Sequence, residues 1–500
     1  MSDLTTTAPN HTTATTSPEP GPATTPTAPD TAPTAPAVGR FFARARGSRW
    51  LALSVLLAGT CLIVLDFFIV NVALPSMQDE LHADAAALEW VVAGYGLAFA
   101  ILLLAAGRVS DAIGRRRTFT AGIALFTLAS AGCGLAPSTG VLIGARLLQG
   151  ASGALISAST LALISVLYVG ADRVRAISSY ATVMGLAAAS GQLVGGLLLT
   201  ANIAGLGWRL VFLINVPVGV AALAVVGRWV PESRAAARSR IDLGGLVLAT
   251  LAVTALVLPL VDGRQQGWPE WSIVSLIAAA PLFAAFAGYQ LAVANRGGTP
   301  LLDPALFRQR TFGVGLLTQL AFWTGQASYF LVLALYLQLG RNLDALRAGL
   351  VFSILAGAYL VASMSAARLS RRYGRTVIVG GALALAAGHL AAVAAVKVAG
   401  PVLLLTPGLL LAGAGMGLCI APLTGVILAH VEPERAGAGS GLLSTVQQLG
   451  NSVGVAVIGI IFFGQLHAGY PHAFEVSLGA LALLLVGVAG CARLLPGPAR

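Results

Sequence analysis

Residues 50–75 read WLALSVLLAGTCLIVLDFFIVNVALP, with one carboxylate, Asp66, and no basic group. Placing that charge in hydrocarbon costs on the order of 3 kcal/mol on insertion scales. Burial favours the neutral acid and a nearby cation favours the carboxylate, so a group held between them can exchange a proton near neutral pH. The alternative is a permanent ion pair that only locks two helices. The candidate partner is Arg146, in GARLLQGASGA. At 1.5 Å per residue, Asp66 lies about 14 Å from Pro75 and Arg146 about 9 Å into its own segment, in the same half of the bilayer. An arginine keeps its proton, so its part would be electrostatic.

Two other groups of residues carry possible chemistry. Gln319, Trp323, Gln326 and Tyr329 recur at helical spacing, Gln448 and Asn451 cluster later, and Gln149 follows Arg146. Uncharged hydrogen-bonding groups on apolar walls suit a bulky amphiphilic ligand; glue between helices is the competing reading. In GLAAASGQLVGG, residues 185–196, Gly185, Gly191, Gly195 and Gly196 fall largely along one side of a helix and flank Gln192. Such density lets another helix approach closely, as simple packing or as a gate.

The elements that must hold these residues are membrane helices. The 500-residue chain is 57% hydrophobic and 10% charged, and its mean hydropathy is +0.85. Soluble domains carry about 25% charged residues. The net charge of +11 comes from short basic clusters between apolar runs, a pattern of insertion signals and not of a nucleic-acid surface. The four cysteines are scattered, with no metal-ligand spacing, and read as small hydrophobes. A lone lysine, Lys397, and the lack of GxxxxGK[ST] exclude a phosphate-binding loop. No cofactor or metal is expected, and uphill transport would have to draw on an ion gradient.

About 20 apolar residues cross a bilayer, which predicts fourteen spans between residues 50 and 495. The seventh and eighth are the least certain, because Pro259 and Pro281 interrupt them. With both termini cytoplasmic, 24 of the 30 basic residues fall on inside segments and four on outside loops, as the positive-inside rule requires. GRVSDAIGRRRTFTAG from Gly107 aligns with ARLSRRYGRTVIVGG from Ala367, so that Arg108/Arg368, Ser110/Ser370, Gly114/Gly374 and Arg115/Arg375 coincide. Asp172-Arg173 and Glu434-Arg435 match at nearly the same offset. The chain therefore divides into a disordered cytoplasmic tail (1–48), a six-helix bundle (49–228), an inserted helix pair (229–300) and a second six-helix bundle (301–495). Repeats of this kind place a substrate site between them near the midplane.

These motifs resemble those of the major facilitator superfamily, and within it the fourteen-helix drug:proton antiporters. GRVSDAIGRRR resembles the signature loop between helices 2 and 3, with Gly107, Arg108, Asp111, Gly114, Arg115 and Arg116. RLLQGASGA is similar to the fourth-helix motif, LDFFIVNVALP to the first-helix motif of the fourteen-helix branch, and WRLVFLINVPVG to its sixth helix. The resemblance covers residues 50–495. It implies a non-enzymatic transporter of the inner (plasma) membrane, two bundles rocking in alternating access, and one copy as the working unit. Asp111 and its arginines would latch the bundles on the cytoplasmic side, and Arg146 and Asp66 would couple protons. The chain departs from the pattern twice. Gly191-Gln192 replaces the Gly-Pro of the fifth helix, removing a source of a kink, and Phe68 replaces a threonine near the acid, leaving its surroundings more apolar.

The expected function is proton-driven export of hydrophobic or amphiphilic small molecules such as antibiotics. The alternatives are a dedicated exporter or facilitator of one metabolite or siderophore, and a membrane receptor that does not transport.

Overall fold

The computed structural model describes residues 46–234, 242–264, 266–428 and 436–495. Most of the tail (residues 1–45), the Glu434-Arg435 half of the second repeat match, and Arg238 and Arg240 lie outside them. The described chain is helical. Its long elements are α1 (Arg46–Leu81), α2 (Ala85–Ile113), α3 (Arg115–Gly134), α4 (Thr139–Leu167), α5 (Gly170–Ala201) and α6 (Asn215–Trp229). Then follow α7 (Leu243–Asp262), α8 (Glu270–Asn295), α9 (Arg310–Leu335), α10 (Ala345–Tyr373) and α11 (Arg375–Lys397). The last are α12 (Thr406–Leu428), α13 (Ala436–Gly464) and α14 (Tyr470–Ala492).

Among the described residues twelve helices are long and apolar enough to cross a membrane, and a thirteenth if the two parts of α5 are one span. The expected fourteen-span count is thus met only in part. The shortfall is α3, which opens on three arginines and is rich in Gly, Ala, Thr and Ser. The proline-bearing segments are not the weak points. Pro259 and Pro281 sit inside continuous α7 and α8, both apolar enough to span. Without the usual proline, α5 still bends, by 43° between Ala188 and Ser190. The Ser190-Gly191 pair that follows is a recognised cause of such bends.

The repeat is carried into three dimensions. Within the first six helices α2 packs on α4, α3 on α4, α1 on α5 and α3 on α6; the last six repeat these pairs as α10 on α12, α11 on α12, α9 on α13 and α11 on α14. The same local devices set both registers. Asp84 caps α2 by accepting the Ala87 N–H at 2.8 Å, and Asp344, 260 residues on, caps α10 through the Arg347 N–H at 2.8 Å. Gly114 and Gly374 end the same two helices at φ +120° and +56°, each donating its N–H to Ser110 and Ser370. A glycine is used there because a Cβ disfavours positive φ. The halves meet through α5 against α10 and α2 against α13, with α7 lying along α2 and α13.

Candidate functional site

Asp66 and Arg146 are both fully buried, and the arginine Nη1 donates directly to Asp66 Oδ2. Asp66 Oδ1 accepts from Gln149 Nε2 at 3.0 Å and from Asn215 Nδ2 at 2.7 Å. Gln149 also bonds Ser130 Oγ at 2.8 Å and accepts from Arg146 Nη1 at 2.9 Å. Arg146 Nε reaches the Val91 carbonyl at 2.9 Å, and the guanidinium lies 4.5 Å from the centre of the Tyr95 ring. Five helices, α1, α2, α3, α4 and α6, therefore meet at one carboxylate. A buried pair of this kind is tolerated only when further hydrogen bonds satisfy it, and here three side chains donate to the acid.

The helical repeat of α1 turns its other side to a cavity of about 310 Å³ between the halves of the molecule. Ile63, Val64, Phe67 and Phe68 form that wall. Phe68 stands edge-on to Phe330 at 5.1 Å, and Phe330 stacks on Phe352 at 5.6 Å and 8°. Amides from Gln192, Gln326, Gln447, Gln448 and Asn451 interrupt the aromatic lining. Among the described residues, no Asp, Glu, Lys, Arg or His lines it. Phe68, expected to leave the surroundings of Asp66 more apolar, faces this cavity with Phe67 instead, while polar donors surround the acid.

Of the expected cavity residues, Trp323, Gln326, Gln448 and Asn451 line it. Gln149 belongs to the Asp66 cluster. Gln319 is buried, and Tyr329 packs on His389 with ring centres 4.4 Å apart. The helix-5 glycines do not share one face. A Cβ on Gly191 or Gly195 would stand 2.9 Å from Phe68 or Ile69 of α1, and one on Gly196 would stand 2.4 Å from the Ala345 carbonyl of α10. Gly185 lies on the cavity, with Tyr359 no closer than 3.8 Å to such a Cβ. Gln192 Nε2 donates to the Phe68 carbonyl at 2.9 Å, tying α5 to α1 two residues from the acid.

The model of the Major Facilitator Superfamily matches residues 56–455. The chain belongs to the major facilitator superfamily. It is 38% identical to the probable actinorhodin transporter of Streptomyces coelicolor, over 84% of this chain and 73% of that protein. It is also 38% identical to the puromycin resistance protein pur8 of Streptomyces alboniger, over 88% and 90%. Among solved structures, the xylose transporter XylE from E. coli in a partially occluded inward-open conformation superposes with a TM-score of 0.61 at 16% identity, covering 89% of this chain and 98% of that one. A POT family transporter in complex with a thioalcohol-conjugated peptide gives 0.65 at 15%, over 88% and 95%. This is a transporter and not an enzyme.

In this major facilitator the loop 107–117 engages its own turn and the segments that flank the inserted helix pair. Asp111 pairs with Arg115 at 3.0 Å. Arg116 bonds Glu232 through its N–H at 3.1 Å and the Val230 carbonyl at 3.3 Å. Arg108 donates to the Pro300 carbonyl, and Gly107 is exposed. In this conformation the expected latch residues hold residues 227–234 and the segment before α9, and none of these bonds reaches α9–α14.

Sequence reading missed Asn215, Ser130 and Tyr95 as parts of the Asp66 cluster, and took Cys133, which contacts Gln149 at 3.3 Å, as a plain hydrophobe. Asn215 had a signal: an amide in the apolar run FLINVPV needs a partner. Sequence reading singled out Asp66 and passed over a second buried carboxylate. Glu89 on α2 is equally buried, at 0% exposed.

Proposed function

We propose that this transporter exports uncharged or amphiphilic aromatic small molecules across the plasma membrane in exchange for protons. One observation carries the reading: α1 holds the buried acid on one side and the cavity wall on the other. Protonating Asp66 weakens its hold on Arg146, Gln149 and Asn215, and so frees the helix that shapes the binding surface. Stacked phenylalanines suit flat ring systems, and the amides suit their carbonyl and hydroxyl groups. A cavity without charged lining is a poor site for a desolvated ion. The names of related proteins, which include a tetracenomycin C resistance and export protein of Streptomyces glaucescens, agree with such cargo.

The finer architecture follows the same reading. Helices α1–α6 and α9–α14 act as two bundles rocking about the α5/α10 and α2/α13 contacts, with α7 and α8 peripheral. α3 also crosses the membrane, giving fourteen crossings, with the arginine-rich ends and both termini cytoplasmic and a single copy as the working unit. The tight contacts between halves, Gly196 on Ala345 and Ser452 on Ala93, lie toward the arginine-poor ends. The cavity lining continues toward the arginine-rich ends, so this conformation faces the cytoplasm.

A second reading, export of one dedicated metabolite, is favoured by the relative named for a single compound, actinorhodin. The test is transport in proteoliposomes with an imposed pH gradient. Wild type is expected to move an aromatic antibiotic against its gradient and Asp66→Asn to lose the proton-driven part. Unchanged pH-driven transport in Asp66→Asn removes the acid from the coupling, and uptake of one compound from a broad panel favours the dedicated exporter.

A further inference from the structure

Glu89 is fully buried, and neither carboxylate oxygen has a hydrogen-bond partner among the described residues. It lies five residues after the Asp84 cap, at the arginine-poor end of α2, where α2 meets α13. A Cβ built on Gly459 of α13 would stand 2.5 Å from the Glu89 carboxyl carbon, so the two helices close directly over the acid. The repeat provides a control. Five residues after the equivalent cap Asp344, α10 carries Gly349, whose missing Cβ leaves room for the Gln192 carbonyl of α5. One contact between the halves is thus sealed with glycine on both sides, and the other buries a carboxylate against a glycine.

The charged groups around Glu89 are few. Asp84 comes from its own helix, and Asp262 and Arg264 from the end of α7 and the link that follows it. Asp262 is taken by Trp90, whose Nε1 donates to it at 3.0 Å. Arg264 packs 5.4 Å from the centre of the Phe463 ring on α13, and its Nε and Nη2 are also buried without partners. Arg146 reaches α2 at the Val91 carbonyl and the Tyr95 ring and is committed to Asp66. On α13 it is the bare surface of Gly459 that faces the acid. A carboxylate closed in here would be an unpaired buried charge, which is far more costly than the neutral acid. Glu89 and Arg264 do not pair in this closed arrangement, yet Asp262, two residues before Arg264, is bonded to the neighbouring Trp90.

We infer that Glu89 is a second proton-binding site, distinct from Asp66, that controls the gate on the arginine-poor side. The gate closes over the protonated acid. When α2 and α13 part, the acid gives its proton to the medium on that side, and the carboxylate pairs with Arg264. The inserted helix pair thereby supplies the counter-charge that holds the open gate. Because the acid is sealed whenever the cavity faces the other way, it sets the balance between the two conformations and does not carry the proton through.

This inference rests on the reading of alternating access, and its test does not require transport. Spin labels are placed at exposed His82→Cys and His467→Cys, on opposite halves at that end, in the full-length protein with its four cysteines replaced, in lipid nanodiscs. As pH rises from 5 to 8 the short-distance population is expected to give way to a longer one, by up to about tenfold per pH unit for a single proton. Glu89→Gln is expected to stay short at every pH. Arg264→Gln, which removes only the partner of the open gate, is expected to move the midpoint upward. Asp66→Asn is expected to keep the shift. A pH-dependent shift that survives in Glu89→Gln, an absent shift in the parent, or an unmoved midpoint in Arg264→Gln overturns the proposal. Transport lost with the distance response intact counts against the export reading instead.

Discussion

The two halves share a scaffold and differ in what they bury. Gly150 meets the Tyr95 carbonyl as Gly413 meets that of Leu355, each so closely that an added Cβ would stand 2.1 Å from the oxygen. With those glycines superposed, Arg146 and Gln149 of the first half fall on Leu409 and Ala412 of the second, both buried. In the register of 260 residues set by Gly114 and Gly374, Asp66 falls on Gln326, which lines the cavity. The backbone contacts that build a bundle are therefore indifferent to the charge cluster. One half keeps an apolar core at that depth, while the other holds an ion pair that a core does not need. Under the proposed function the coupling chemistry belongs to the first half, and both halves supply cavity wall.

The sharpest way to break this comparison is to unbalance the pair. Asp66→Ala leaves Arg146 buried and unpaired and is expected to lower stability by about 3–5 kcal/mol, read as a loss of thermal stability in detergent. Gln326→Ala, its counterpart, is expected to cost far less and to change substrate affinity. Converting the first half to the pattern of the second, with Asp66→Leu and Arg146→Leu together, should restore most of that stability. Proton-driven transport should stay lost; retained coupling in the double variant would refute the division of labour.

Next come changes that ought to treat both halves alike. Gly150→Ala and Gly413→Ala each force a methyl against a carbonyl, with an expected loss of about 1–3 kcal/mol. Losses differing by more than a kilocalorie would show that the shared scaffold is not equally packed. Gln192→Ala removes the bond to the Phe68 carbonyl, a loss of about 1 kcal/mol, and is expected to loosen α5 from α1 in hydrogen exchange around residues 64–72.

The smallest effect belongs to the inserted pair, which has no counterpart. Burial works against the charge on Asp242, but the Gly245 N–H, Gln290 and Tyr289 outweigh it and hold the carboxyl below its ordinary range. A depressed native value means the contribution is present above the unfolded value and fades as pH falls through the native one. Asp242→Ala should thus cost about 1 kcal/mol at neutral pH and progressively less in acid, read by thermal unfolding between pH 3 and 7.

Much of this was legible in residues. GRVSDAIGRRR and its echo at 367 announced the repeat, and Asp66 with Arg146 stood out because a charge in an apolar run must be paired. The proline count misdirected attention to α7 and α8, which run through Pro259 and Pro281 as continuous helices. α3 was among the fourteen expected spans, and it is its Gly-Ser-Thr composition that leaves it less apolar than the other helices. Gln149 was assigned to the ligand because spacing along one helix does not reveal which of two polar neighbourhoods it faces.

Sequence alone determined that this chain is a set of membrane helices, doubled, with one acid and one arginine at matching depth. Hydrophobic periodicity and charge cost act locally, so they can be read locally. Only the tertiary structure decided that Asn215, 149 residues away, completes the carboxylate's partners, that the phenylalanines turn to a cavity, and that Glu89 closes against a glycine of the opposite half. Those depend on which helix faces meet, and that is fixed by packing across hundreds of residues.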